Sequence, residues 1–207
     1  MNPKGYTNKQ AIENYLLIEI DDSFNSQVDA WMASIERIID NYTSRNFKAD
    51  STASARVYDG DGTNELIVDE CIEVTKVEVG NSSYGDSFAE VSSTGADKYF
   101  TYPANATARM VPIHKISLSA RCFPSGYQNN RVTAKWGYSI TPPEDITFAA
   151  TVFVAGVINQ SRGGGDEIKS ESIGSYSVTY NSDKGSNSWA DFERAKQILD
   201  QYKRINI

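Results

Sequence analysis

The spacing of apolar residues changes period twice along this chain, which rules out an all-helical or an all-β fold. Residues 23–43 are helical in pattern, with Phe24, Val28, Trp31, Met32, Ile35, Ile38, Ile39 and Tyr42 recurring every three to four positions. Asp29, Glu36, Arg37 and Asp40 fall mostly on the opposite side. Such a helix would be about 31 Å long. From Arg56 the period drops to two. Residues 56–68 alternate around Asp59-Gly60-Asp61-Gly62, which predicts a hairpin with a tight turn. Ile72, Val74, Val77 and Val79 continue the alternation, with a slip at Thr75-Lys76 that predicts a bulge. Residues 83–91, 97–103, 115–120 and 131–139 read as further short strands.

The helical period then returns. Thr141-Pro142-Pro143-Glu144 has the form of an N-cap, a proline in the first turn and a capping glutamate. A helix is predicted from Pro142 to about Gln160, with Ile146, Ala149, Ala150, Phe153 and Val157 on its inner face. Arg162-Gly163-Gly164-Gly165 ends it. Residues 168–181 read as a β-ribbon turning at Gly174. A last helix is capped by Ser188 and carries one stripe of Trp189, Phe192, Ala195, Ile198, Leu199 and Tyr202. Glu193, Arg194, Lys196 and Asp200 face away from that stripe. A short first helix is predicted over Thr7–Leu17, capped by Thr7 with Gln10 three residues on, and broken by Asp21-Asp22. Residues 48–55 are small and polar and read as a linker. The fold class is therefore α+β. Residues 1–50 and 141–207 form a discontinuous helical domain, and residues 51–140 form a β-rich insert of about six strands.

The charge limits function. A net charge of −7 and a pI near 4.8 exclude a surface that grips nucleic acid by neutralising phosphates. They are compatible with an acidic wall past which DNA slides. No stretch approaches the ~18 apolar residues of a membrane span, so no membrane contact is expected. The opening MNPKGYTNKQ has no apolar signal region, so the chain is expected in the cytoplasm or in a particle assembled there. Cys71 and Cys122 read as two buried thiols in a reducing compartment, although spacing alone does not decide a disulfide.

Residues able to run chemistry are sparse. His114 is the only histidine, and no nucleophile elbow surrounds it. A small hydrolase using His114 is therefore the weakest reading. Asp59-Gly60-Asp61-Gly62-Thr63 resembles the start of a calcium loop, but Asn64 stands where such a loop needs glycine. Asp21-Asp22 and Asp69-Glu70 are neighbours in sequence, with nothing to place either pair across a cleft. Gly163, Gly164 and Gly165 lack the GK[ST] of a phosphate cradle. They read either as a plain loop after a helix or as a loop that moves on assembly. No catalytic, cofactor-binding or metal residue is expected, and the chain is expected not to be an enzyme. The insert's Tyr84, Phe88, Tyr99, Phe100, Tyr102, Tyr127, Trp136 and Tyr138 read mainly as core and cross-strand pairs. Their second reading is a carbohydrate-binding or receptor-facing β module of a virion protein.

Four stretches in order carry a family resemblance: the opening helix with the long helix ending IERIIDNYTSRNF, then RVYDGDGTNELIV with CIEVTKVEVG, then TPPEDITFAATVFVAGVINQSRGG, then IGSYSVTY leading into WADFERAKQILDQYKRI. Together they span most of the chain, which resembles the gp6-like head–tail connector, or adaptor, proteins of tailed bacteriophages. The resemblance implies a virion structural protein of the phage neck, assembled in the host bacterial cytoplasm. It implies a ring of the chain's own copies, twelvefold in keeping with the portal. That ring would sit below the portal protein, extend the DNA channel around genomic dsDNA without sequence-specific binding, and receive the next stopper or tail protein. The family's terminal helix docks on the portal. Carried onto this chain, that implies Trp189, Phe192, Ile198, Leu199 and Tyr202 as portal-interface candidates. Burial of the same stripe against the chain's own long helix is the competing reading. The family supplies no catalytic residue to transfer.

Overall fold

The computed structural model describes residues 3–81, 85, 87–162, 168–173, 176–181 and 187–204; within 168–189 it describes the backbone alone. The fold is mixed α+β. By its packing the chain divides into two units, Met1–Phe47 with Pro142–Ile207, and Lys48–Thr141.

The first unit is built on a helix with little polar surface. Helix α3 (Glu144–Ser161) buries Ile146, Ala149, Ala150, Val152, Phe153, Val154, Ala155 and Ile158. A helix apolar on every side must be surrounded. Around it pack α1 (Lys9–Leu16), α2 (Asn25–Thr43) and α4 (Asn187–Gln201). Strand β8 (Tyr176–Asn181), paired antiparallel with β7 (Ile168–Ile173), lies beside it as well. The caps differ from the sequence reading. Helix α1 is capped by Asn8, whose side chain accepts from the Ala11 N–H. The Thr7 hydroxyl instead pairs with that of Thr151 on α3, 2.7 Å away. Pro143, not Thr141, is the N-cap of α3, with no side-chain hydrogen bond; Glu144 and Asp145 still place negative charge at its N-terminal turn.

Glu36 also departs from its expected place on the polar side of α2. It is 1% exposed. One oxygen accepts the backbone N–H groups of Gly5 at 2.8 Å and Tyr6 at 2.7 Å, and the other accepts that of Lys4. One turn on, Asp40 accepts from the Lys4 ammonium and the Tyr6 hydroxyl. The Tyr6 oxygen in turn accepts the Phe47 N–H at 2.8 Å. Burial and the Asp40 charge push the Tyr6 hydroxyl well above the ordinary phenol range. The segment before α1 is thus fixed by two carboxylates of α2.

The second unit is a six-stranded antiparallel sheet: β1 (Ser54–Gly60), β6 (Gly126–Trp136), β2 (Glu65–Gly80), β5 (Ile113–Leu118) and β4 (Tyr99–Tyr102) in path order, with β3 (Phe88–Val91) also on β2. Strand β2 serves three partners, with Val77–Gly80 on β3. Its first part pairs with β5, and from Cys71 to Val79 it pairs with β6. The expected slip at Thr75-Lys76 is a register shift between Val74 and Lys76. Leu66, Val68, Val77 and Val79 of β2 meet Ile116, Leu118, Val132, Ala134 and Trp136 in one core. The sheet curls so that β1 reaches back to β2: Arg56 pairs with Asp69 at 2.7 Å, and the Tyr58 hydroxyl donates to the same carboxylate.

The predicted hairpin at Asp59–Gly62 is not formed. Strands β1 and β2 are both antiparallel to β6, so they run in the same direction and cannot pair as a hairpin. At the foot of the unit the incoming and outgoing chains are stitched together. Ala49 N–H donates to Ser139 O and Asp50 N–H to Trp136 O, both at 2.8 Å. Gly137 makes room for this crossing, with φ +135° and only 2.4 Å between the site of an added Cβ and Ala49 Cα. Gly137→Ala is expected to cost about 2–3 kcal/mol, read as an earlier denaturant midpoint for the β unit. A loss below about 0.5 kcal/mol would show that the crossing is loose.

The ion pair of Glu78 on β2 with Arg131 on β6 is bidentate, both contacts at 2.8 Å, and Lys76 lies 2.9 Å from the same carboxylate. Those hydrogen bonds to Arg131 hold the Glu78 carboxyl down at about 2, against 4.5 ordinarily, and desolvation opposes them. A folded-state pKa below the unfolded one gives stability that is whole above the unfolded value. It drains as pH falls from about 4.5 toward about 2. With solvent reaching Arg131 and Lys76, the contribution is about 2 kcal/mol. Glu78→Gln should therefore flatten the acid limb of the β unit's stability curve, and an unchanged limb would refute the assignment.

Candidate interaction surfaces

The stripe on α4 is placed mostly inside its own subunit. Phe192 and Leu199, two of the portal-interface candidates, are fully buried within the subunit. Phe192 meets Phe153 of α3 edge to face, with centroids 5.1 Å apart. It is α3, apolar on most of its surface, that receives most of α4, with α2 touching it less. Ile198 and Tyr202 are half-buried. Tyr202 stacks edge-on against Phe47 at 5.3 Å, and its hydroxyl lies 3.4 Å from Asp145. The backbone of Trp189 lies in α4, and its side chain falls outside the described residues, as do Gly163, Gly164 and Gly165.

His114 is exposed on β5. Asp59 accepts the Gln128 N–H at 2.7 Å, and Asp61 accepts from both the N–H and the hydroxyl of Thr63. Those Thr63 bonds hold Asp61 below the usual carboxylate range. Asp21 accepts the Ser23 N–H, while Asp22 pairs with Lys9 at 2.7 Å. Among the described residues no group of three or more histidines, cysteines or acids could hold a metal ion. Cys71 is buried as expected, and burial pushes its thiol up to about 12. Cys122, expected to be buried, is exposed; both cysteines are free thiols.

The aromatic residues of the β unit range from buried to exposed. Trp136, which a sugar site would have needed, is 1% exposed and donates its indole N–H to Ser54 O. Phe100 and Tyr102 of β4 are exposed. Each carries a lysine of its own chain on the ring, Lys98 at 4.9 Å from Phe100 and Lys115 at 4.7 Å from Tyr102. The register puts Ile67, Lys115 and Tyr102 in one row across three strands, with Glu65, Ser117 and Phe100 two positions along, in the next row on the same face. Ile67 is 70% exposed.

The helical unit has its own exposed apolar corner between α1 and α2. Leu17 is 88% exposed and Phe24 52%. Ile18, Ile20, Phe24, Val28, Trp31 and Ile158 line a cavity of about 400 Å³ beside it. Neither surface was read from sequence. Ile67 looked like an ordinary member of an alternating strand, and Leu17 like the last residue of a helix. The run Leu16-Leu17-Ile18, continuing apolar past the helix end, was the signal available.

Comparison with known proteins gives a fold. No family model matches the chain, and no curated protein is similar to it. Among solved structures it is similar to a chain in the neck of an empty GTA particle computed with C6 symmetry. There the TM-score is 0.52 and the identity 11%, over 96% of this chain and 89% of that one. A chain in the neck of a native GTA particle computed with C12 symmetry aligns at a TM-score of 0.45 and 12% identity, over 96% and 92% of the two chains. At such identities the shared property is the fold, and it runs through both units of this chain.

Proposed function

We propose that this chain is a head–tail connector, or adaptor, subunit in the neck of a tailed phage or phage-like particle. The observation that carries the reading is the fold likeness across nearly the whole chain, helices and β unit together, to a chain from the neck of a gene transfer agent particle. The ordered resemblance of the sequence to gp6-like connectors supports the same role. A subunit of this kind acts by geometry. Copies join head to tail into a closed ring, the ring sits below the portal protein, and its outer side receives a stopper or tail protein. The C6 symmetry of the similar neck supports a ring built of repeated copies, and twelve is the number that follows the portal. An acidic subunit of net charge −7 lines a channel without holding the DNA that passes. The chain has no assigned catalytic role in this reading.

The test is electron microscopy of particles carrying a tagged copy of the chain. Tag density in a ring between capsid vertex and tail is the expected result. Particles lacking the chain, or a tag elsewhere on the virion, would overturn the proposal.

A further inference from the structure

The exposed apolar residues of the helical unit are concentrated where they bring that unit no benefit. Leu17 is the C-cap of α1 and has the left-handed backbone, φ 55°. For an L-residue that conformation costs about 1 kcal/mol, and glycine or asparagine would adopt it more easily. Its side chain gains no burial in return, being 88% exposed. Phe24, seven positions on, is also exposed, and between them stand three carboxylates, Glu19, Asp21 and Asp22, of which Asp22 is paired with Lys9 at 2.7 Å. The corner is thus apolar and acidic. The exposed sheet face over β2, β5 and β4 has the opposite balance: Ile67, Phe100 and Tyr102 together with Lys98 and Lys115. Glu65 neutralises Lys115 at 2.8 Å. Among the described residues the Lys98 ammonium, by contrast, has only the Phe100 ring, and Glu19 has no ion pair.

We propose that in the ring the Leu17–Phe24 corner of one copy packs on the Ile67–Phe100–Tyr102 face of the next, with Glu19 set against Lys98. The inference rests on the connector reading above and names the surfaces through which copies meet. Two different patches form a heterologous contact, the kind that propagates around a ring. Charge complementarity between an acidic and a basic apolar patch sets its register, and burial of Leu17 in the neighbour accounts for a leucine where the helix end favours glycine.

Sedimentation of the full chain over a range of concentrations, with and without portal rings, tests this. Glu19→Lys and Lys98→Glu should each weaken self-association about tenfold or more, and the two changes in one chain should restore it. Leu17→Asn should lose association while the thermal midpoint of the subunit holds or rises. Oxidation of a Glu19→Cys/Lys98→Cys/Cys122→Ser chain should give a ladder of dimers, trimers and higher species, where either single cysteine stops at dimer. Reversals that associate like the wild type overturn this interface and leave the connector reading standing. So does a double reversal that fails to recover, or a loss of portal binding with self-association intact, which would hand the corner to another protein. A wild-type chain that stays monomeric under every condition and is absent from particles overturns both.

Discussion

Replacing Glu36 by alanine is expected to destabilise the helical unit by about 3–5 kcal/mol. The carboxylate is buried and takes three backbone N–H groups from consecutive residues, Lys4, Gly5 and Tyr6. Its removal leaves the buried Tyr6 N–H and the part-buried Lys4 and Gly5 N–H groups without their acceptor, and an unsatisfied buried group costs about 1–3 kcal/mol. Tyr6 then loses its backbone anchor and with it the bond from its hydroxyl to Asp40 and the one it accepts from Phe47 N–H. Glu36→Gln keeps one acceptor oxygen and should lose less than the alanine variant. Urea unfolding followed by tryptophan fluorescence, with Trp31 on α2 as a local probe, would measure both. A loss below about 1 kcal/mol for the alanine variant would mean that residues 4–6 are held by something else.

Phe192→Ala should cost a further independent 3–5 kcal/mol or so. The side chain is fully buried and interlocks edge-on with Phe153, so its removal opens a cavity between α3 and α4. This result separates two roles that the sequence leaves open for the same stripe. A core residue, when truncated, lowers the melting temperature of the isolated subunit. A portal anchor, when truncated, leaves the subunit as stable as before and weakens only its docking. The expected outcome is the first. A variant that melts normally but no longer co-purifies with portal would return Phe192 to the interface.

What was legible in the sequence was whatever depends on local periodicity. The stripe on α2, the alternation of β2, the return of helix at Glu144 and the antiparallel ribbon each rest on residues within a few positions of one another. Even the bulge near Thr75 left its mark as a broken alternation. The errors lie where a distant partner decides. Glu36 reads as a solvated helix residue until three N–H groups arrive from 30 or more positions upstream. Asp59-Gly60-Asp61-Gly62 has hairpin chemistry, yet β6, some seventy residues on, takes both neighbouring strands and sets them side by side in direction. The α4 stripe announces an apolar face and carries no sign of what covers it. Ile67 and Leu17 could not be told from core residues, because exposure is a property of the finished fold.

The assembly of one unit from the two ends of the chain has a consequence for synthesis. Helix α2 leaves the ribosome with Met32, Ile35 and Ile39 uncovered, and the helix that shields them begins only at Glu144. About 100 residues separate the two, which is roughly 5–20 s of translation. The β unit, whose strands all lie within that interval, is complete before its host. The nascent chain therefore passes through a stage in which a finished β module trails a greasy, unshielded helix, and this stage is when chaperones have most to hold.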